Sequence, residues 1–288
     1  MSQAASSQPP AIPNVRAIPK PAIPRVLTLA ALAVLLWFIA KQSLALYNEY
    51  RVLRVEMTEV RNSAVIGYPG IQPRYSFAQP PTDWYHVDGE TARLWSGWRE
   101  GSGHMWFLAN AGDIQRERMS LPMGRDVYLA IDLPVVEFNG GSIWGRIPES
   151  AHVVGGMLGG VATAYPILVL ERVYVVNDQI RGQPFLVTYS PLAPAENRVV
   201  VYEPIVAGQR LTMGVSGYHH NNDPMLFDRG TESLWVREGD SLSAIAGKHR
   251  GEKLRQVIRP IPISWNRWRD EHPQTRLVVG AERNRAAH

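Results

Sequence analysis

Between residues 127 and 280 apolar residues fall in short runs, most of them bounded by Gly, Pro, Asn or Asp. Short runs bounded by such turn residues mark strands. Strands are predicted at Val127–Ile131, His152–Gly155, Val161–Tyr165, Val173–Val176, Phe185–Tyr189, Val199–Glu203, Arg210–Val215, Met225–Asp228, Leu234–Val236 and Arg276–Val279. Two stretches read as helices. One is a short turn after Pro166, whose fixed φ suits a first helical turn, through Arg172. The other runs from Ser264, a candidate N-cap, to His272, with Pro273 as its stop. Trp265 and Trp268 stand three apart and share a face, which predicts docking on a sheet. Many strands and few helices predict a mainly β domain, a sandwich or a barrel, with one short C-terminal helix.

Upstream the pattern changes. Residues 1–25 are rich in Ala, Ser, Gln and Pro, and Ala-Ile-Pro recurs at Ala11, Ala17 and Ala22. Prolines this dense block helix and strand alike, so a disordered or polyproline-like tail is expected. Val26–Ala40 is an uncharged apolar run, and it extends through Lys41 to Tyr47. About 22 residues of helix span roughly 33 Å, enough for a hydrocarbon core of about 30 Å. Three readings stand: a transmembrane anchor over 26–47, a signal peptide cleaved after Ser43-Leu44-Ala45, or a buried helix. The length and the long Pro-rich leader favour the anchor. An early hydrophobic segment then predicts a single-pass protein of the cell membrane, its C-terminal domain external or periplasmic. Leu46, Tyr50, Leu53, Met57 and Val60 form a heptad-like stripe, so 48–61 reads as a stalk. Residues 62–126 read as a β-rich lead-in with a strand at Met105–Ala109, and residues 281–288 as a short disordered tail. Trp84, Trp95, Trp98 and Trp106 crowd the lead-in, where core filling is favoured over sugar or base stacking.

Composition removes several chemistries. The chain has no cysteine among its 288 residues, which excludes a disulfide framework, a thiolate zinc site and a cysteine nucleophile. Net charge is only +4, with basic residues dispersed among acids. No basic block points to nucleic acid, so none is expected as a partner.

The segment Leu211–Trp235, with Val161–Pro166, Val175–Asp178 and Pro184–Leu192, resembles the bacterial domain-of-unknown-function family 3179 over roughly residues 127–280. Relatives carry Cys-Pro-Leu-Cys where this chain reads Ser190-Pro191-Leu192-Ala193. The resemblance implies a fold and not a reaction. In relatives two cysteines three apart could bind a metal or cycle through a disulfide. Here Ser190 lacks a visible base and reads as the end of a strand before a proline turn. Gly214-Val215-Ser216-Gly217-Tyr218 imitates a nucleophile elbow, but Tyr218 takes the second glycine position and no helix follows. His219 and His220 precede Asn221-Asn222-Asp223 at an expected hairpin tip. Neighbouring side chains of an extended strand diverge, so no metal is expected there. Asp228, Arg229, Glu232 and Trp235 make the densest candidate set. They read either as an acid/base pair or ligand clamp, or as an ion-pair network fixing a turn while Trp235 fills the core. Gly155-Gly156 and Gly159-Gly160 lie between two strands and read as a hairpin turn rather than a phosphate loop.

The expectation is a membrane-anchored, extracytoplasmic, non-catalytic domain that binds a ligand or protein. Its partners are membrane lipid, through the N-terminal helix, and an unidentified ligand or protein; no cofactor is assigned. The alternative is an external hydrolase or metal-dependent enzyme using Asp228, Glu232 and His219 or His220.

Overall fold

The structure is a computed structural model. It describes residues 80–281, apart from 100, 121 and 142, together with Trp37, Ala40 and Lys41. The expected tail over 1–25, the stalk over 48–61, residues 62–79 of the lead-in and nearly all of the C-terminal tail lie outside the described residues. So does the anchor over 26–47, apart from Trp37, Ala40 and Lys41, which are helical. Among the described residues no helix is long and apolar enough to cross a membrane.

The chain opens with β1 (Tyr85–Asp88), β2 (Thr91–Arg99) and β3 (Gly103–Asn110), an antiparallel meander. There follow β4 (Ile131–Asp132), β5 (Pro134–Glu137), β6 (His152–Leu158), β7 (Val161–Pro166) and helix α1 (Ile167–Val173). Next come β8 (Val175–Ile180), β9 (Gln183–Tyr189), β10 (Val199–Tyr202), β11 (Ile205–Val206) and β12 (Gln209–Arg210). The last third holds β13 (Met213–His220), β14 (Asp223–Asp228), β15 (Leu234–Glu238), β16 (Ser241–Ala246), β17 (Lys253–Ile258) and β18 (Pro262–Ser264). Helix α2 (Trp265–Glu271) and β19 (Arg276–Ala281) close it.

The domain is mainly β. Its centre is a nine-stranded sheet, β13-β14-β15-β16-β17-β10-β9-β8-β4, curled into a half-barrel. The curl brings β8 back to β13, where the Asn177 amide acts as a clasp. It donates to the Met213 carbonyl at 2.8 Å and accepts the Met213 N–H at 2.9 Å. Alternation sorts the side chains. Leu226, Trp235, Leu242 and Val200 join the main core, which fills the curl. Met225, Phe227, Leu234 and Val236 face outward, where the β1–β3 meander covers them with Trp84, Leu94, Trp95 and Phe107. The lead-in and the half-barrel therefore share a core.

A five-stranded sheet, β18-β6-β7-β19-β5, packs one face on the main core through Val154, Tyr165 and Val278. Its other face takes Trp265 and Trp268 of α2, as their shared helical face requires. Gly155 makes this possible, because a Cβ there would stand 2.3 Å from the Trp268 ring. The hairpin turn between β6 and β7 is Gly159-Gly160 alone, with φ of 55° and 74°; Gly155 and Gly156 lie inside β6.

A strap covers the outer edge of β13. The N–H groups of Ser120, Met123 and Asp126 donate to the carbonyls of His219, Gly217 and Val215 at 3.1, 3.0 and 2.7 Å. Gly217 permits this approach: it has φ 90°, and a Cβ would lie 2.2 Å from the Gly124 oxygen.

Candidate functional site

Asp228 ends β14 and heads the turn into β15. It is fully buried. Its carboxylate accepts the Thr231 N–H at 2.6 Å, the Thr231 hydroxyl at 2.7 and 2.9 Å, and the Trp235 indole N–H at 3.3 Å. Ser233 Oγ meets the Thr231 hydroxyl at 2.7 Å and accepts the His249 N–H at 3.0 Å. A buried carboxylate is stable without a cation only when donors surround it, as here. Trp235, also fully buried, drives its ring into the main core.

The neighbours of Asp228 point elsewhere. Arg229 bridges to Asp132 at 2.8 Å and to Asp126 at 3.1 Å. Burial raises the Asp126 carboxyl above its ordinary range, with the Arg229 and Arg125 guanidiniums pulling it back. Glu232 sits at φ 59° and pairs with Arg125. The Arg125 guanidinium lies 4.4 Å from the centre of the Phe107 ring and 4.9 Å from that of Phe227, tying the meander to the half-barrel. Asp228, Arg229 and Glu232 thus have three separate sets of partners.

The histidines lie at the far end of the same hairpin. Met213 opposes Asp228, whereas His219 opposes Pro224 and His220 opposes Asp223. Four residues of β14, from Pro224 to Asp228, separate the two levels, roughly 13 Å, because β13 is bulged between them. Burial lowers the pKa of both imidazoles. Among the described residues no group of three His, Asp or Glu side chains could hold a metal ion.

Ser190 ends the β9 ladder. Its N–H donates to the Arg198 carbonyl at 2.8 Å, and its side chain is 1% exposed with no partner for Oγ among the described residues. Leu192, two residues on, is exposed. Ser216 donates Oγ to the Met225 carbonyl at 2.6 Å and accepts the Tyr218 N–H at 3.2 Å. Its hydroxyl belongs to the bulge in β13.

Two polar clusters escaped the sequence reading. One is at the mouth of the half-barrel. Arg237 is 11% exposed; its Nε reaches Asp223 at 3.1 Å and its terminal nitrogens donate to the Asn197 carbonyl and the Thr188 hydroxyl. Arg259 donates to Asn197 Oδ1 at 2.7 Å and to Asp240 at 2.9 Å. The second joins the two large sheets. Fully buried Asp178 accepts both terminal nitrogens of Arg276, the Tyr165 hydroxyl and the Gln179 N–H, each at 2.7 Å. Alternation from Trp235 does put Arg237 on the inner face, but the predicted strand ended at Val236.

Residues 130–287 match the family described as a protein of unknown function (DUF3179), and the chain belongs to that family. No curated protein and no solved structure matches it.

Proposed function

We propose that this member of the family is a membrane-anchored, extracytoplasmic domain that binds a ligand or protein and catalyses no reaction. One observation carries the reading. The residues with catalytic chemistry are engaged in the framework and kept apart from one another. A general base needs a lone pair within hydrogen-bond reach of substrate. The Asp228 carboxylate is closed from solvent and held by Thr231 and Trp235. Glu232 is tied to Arg125, and His219 stands about 13 Å along the hairpin from Asp228. The uncharged run Val26–Ala40 supports the anchor, since its extension to Tyr47 is long enough for a bilayer.

The full-length protein should stay with membranes through carbonate extraction, with its C-terminal domain open to external protease. It should give no turnover above buffer on ester, amide and phosphate substrates. A soluble form beginning near Leu46 would replace the anchor by a signal peptide. Turnover that disappears in Glu232→Gln would replace the binding domain by an enzyme.

A further inference from the structure

We propose that the mouth of the half-barrel, beside Arg237, binds the carboxylate group of a small ligand. The inference rests on the reading of the chain as a binding domain and assigns that domain a site. A hollow opens here, and Thr188, Tyr189, Asp223, Leu226, Arg237 and Leu242 are among the residues that line it. It admits a group about the size of one water molecule, which suits a carboxylate oxygen and not a whole ring.

Its polar atoms are unevenly satisfied. A guanidinium has five N–H donors. Arg237 Nε meets Asp223 as an ion pair, and its two terminal nitrogens donate to Asn197 and Thr188, one bond each. The second N–H of each terminal nitrogen has no partner among the described residues. Strand register puts Tyr202 on the same inner face: Thr188 opposes Val200, and Leu186 opposes Tyr202. The Tyr202 ring is fully buried, and its hydroxyl has no partner among the described residues. The charges acting on that hydroxyl include Arg237 and Asp223, which line the hollow. Burial pushes the phenol up to about 12, so it stays protonated and can donate. By alternation the Ser190 hydroxyl, also unpartnered, falls on the Thr188 side of β9.

Charge decides the ligand class. The side chains of Arg237, Arg259 and Asp223 are 11%, 26% and 24% exposed, whereas Asp240 is 85% exposed. Water screens Asp240 far more than the other three. The inner side therefore carries two guanidiniums against one carboxylate. An oxyanion meeting free guanidinium donors and a phenol supplies the missing charge and the missing acceptors together.

Full-length protein in detergent micelles is titrated with sodium acetate, and tryptophan fluorescence and the melting midpoint are followed. Sodium chloride at matched ionic strength and neutral acetamide are the controls. Acetate should give a saturable response, and the controls none. Tyr202→Phe keeps the ring and should weaken the response about tenfold, the scale of one hydrogen bond to a charged group. Arg237→Gln should abolish it, and Arg255→Gln, at an exposed pair with Glu203, should leave it unchanged. A tripeptide with a free carboxyl terminus, set against its amide, tells a chain terminus from a free acid. No saturable response in the wild type, or a Tyr202→Phe response equal to it, overturns the site. Failure with acetate while turnover stays absent removes this site and leaves the binding domain standing. Turnover lost in Glu232→Gln removes the binding domain itself.

Discussion

Replacing Asp178 by asparagine tests whether the half-barrel and the five-stranded sheet are riveted by charge. Asp178 lies on β8; Arg276 and Tyr165 come from β19 and β7. The Asp178 side chain is 0% and that of Arg276 9% exposed, so neither can turn to water. Asparagine keeps the volume but removes the charge, and it presents an NH2 where only donors converge. Burial, and then the Asp178 charge, hold the Tyr165 phenol well above its ordinary range, so it stays neutral and supplies no negative charge in place of the carboxylate. Arg276 is left buried without a counter-charge. Breaking such a pair from one side costs about 3–5 kcal/mol. Against a native stability of about 5–15 kcal/mol, that is a large part of the whole. Urea unfolding followed by tryptophan fluorescence should show a lower midpoint at an unchanged slope. An apolar set, Asp178→Leu with Arg276→Met and Tyr165→Phe, removes every member together and should recover most of the loss, because desolvation of the charges disappears with them. A cost below about 1 kcal/mol for Asp178→Asn, or a triple variant no better than the single, would refute this account of the rivet.

Two further outcomes follow from the hairpin of β13 and β14 and its continuation into β15. Trp235→Ala should cost about 3–5 kcal/mol, read by the same unfolding assay, since the ring is fully buried beside Asp228 and cannot be replaced by local collapse; a loss under about 1 kcal/mol would deny it a core role. The depressed His219 and His220 contribute stability that is complete above the ordinary histidine value of 6.5 and is lost as pH falls through their lower folded values. A His219→Asn/His220→Asn variant should therefore lose less stability than wild type between neutral and mildly acidic pH, and parallel pH profiles would contradict the assignment.

Much of the fold was legible because its signal is local. Pro166, Ser264, Pro273 and the Trp265/Trp268 pair mark both helices within a single turn each. The strands at Phe185–Tyr189 and Met225–Asp228 are dense in apolar or β-favouring residues and punctuated by proline, Asn or Gly. Strands β16 and β17 were missed. Ser241–Ala246 is small and weakly apolar, and Lys253–Ile258 carries charges at Lys253 and Arg255, so pairing with neighbours decides both. The expected strand Val127–Ile131 shrinks to Ile131–Asp132, held only by a parallel pairing to β8. The partners of the Asp228–Glu232 turn were illegible for a different reason. Arg125, Asp126 and Asp132 lie about a hundred positions upstream, and only the closure of the sheet brings them to it. The mouth of the half-barrel likewise joins Thr188, Asn197, Arg237 and Arg259 from separate strands and turns.

The strap along β13 bears on where this domain begins as a physical object. Trimmed to start at residue 130, the chain would keep every strand of the nine-stranded sheet and lose what shields two of its surfaces. The carbonyls of Val215, Gly217 and His219 would lose the N–H groups that now reach them. Met225, Phe227 and Val236 would lose Leu94, Trp95 and Phe107. A bare strand edge beside an uncovered apolar face is a template for pairing with another chain. A piece that keeps both surfaces covered therefore starts upstream of Trp84, well before the segment that defines its kinship.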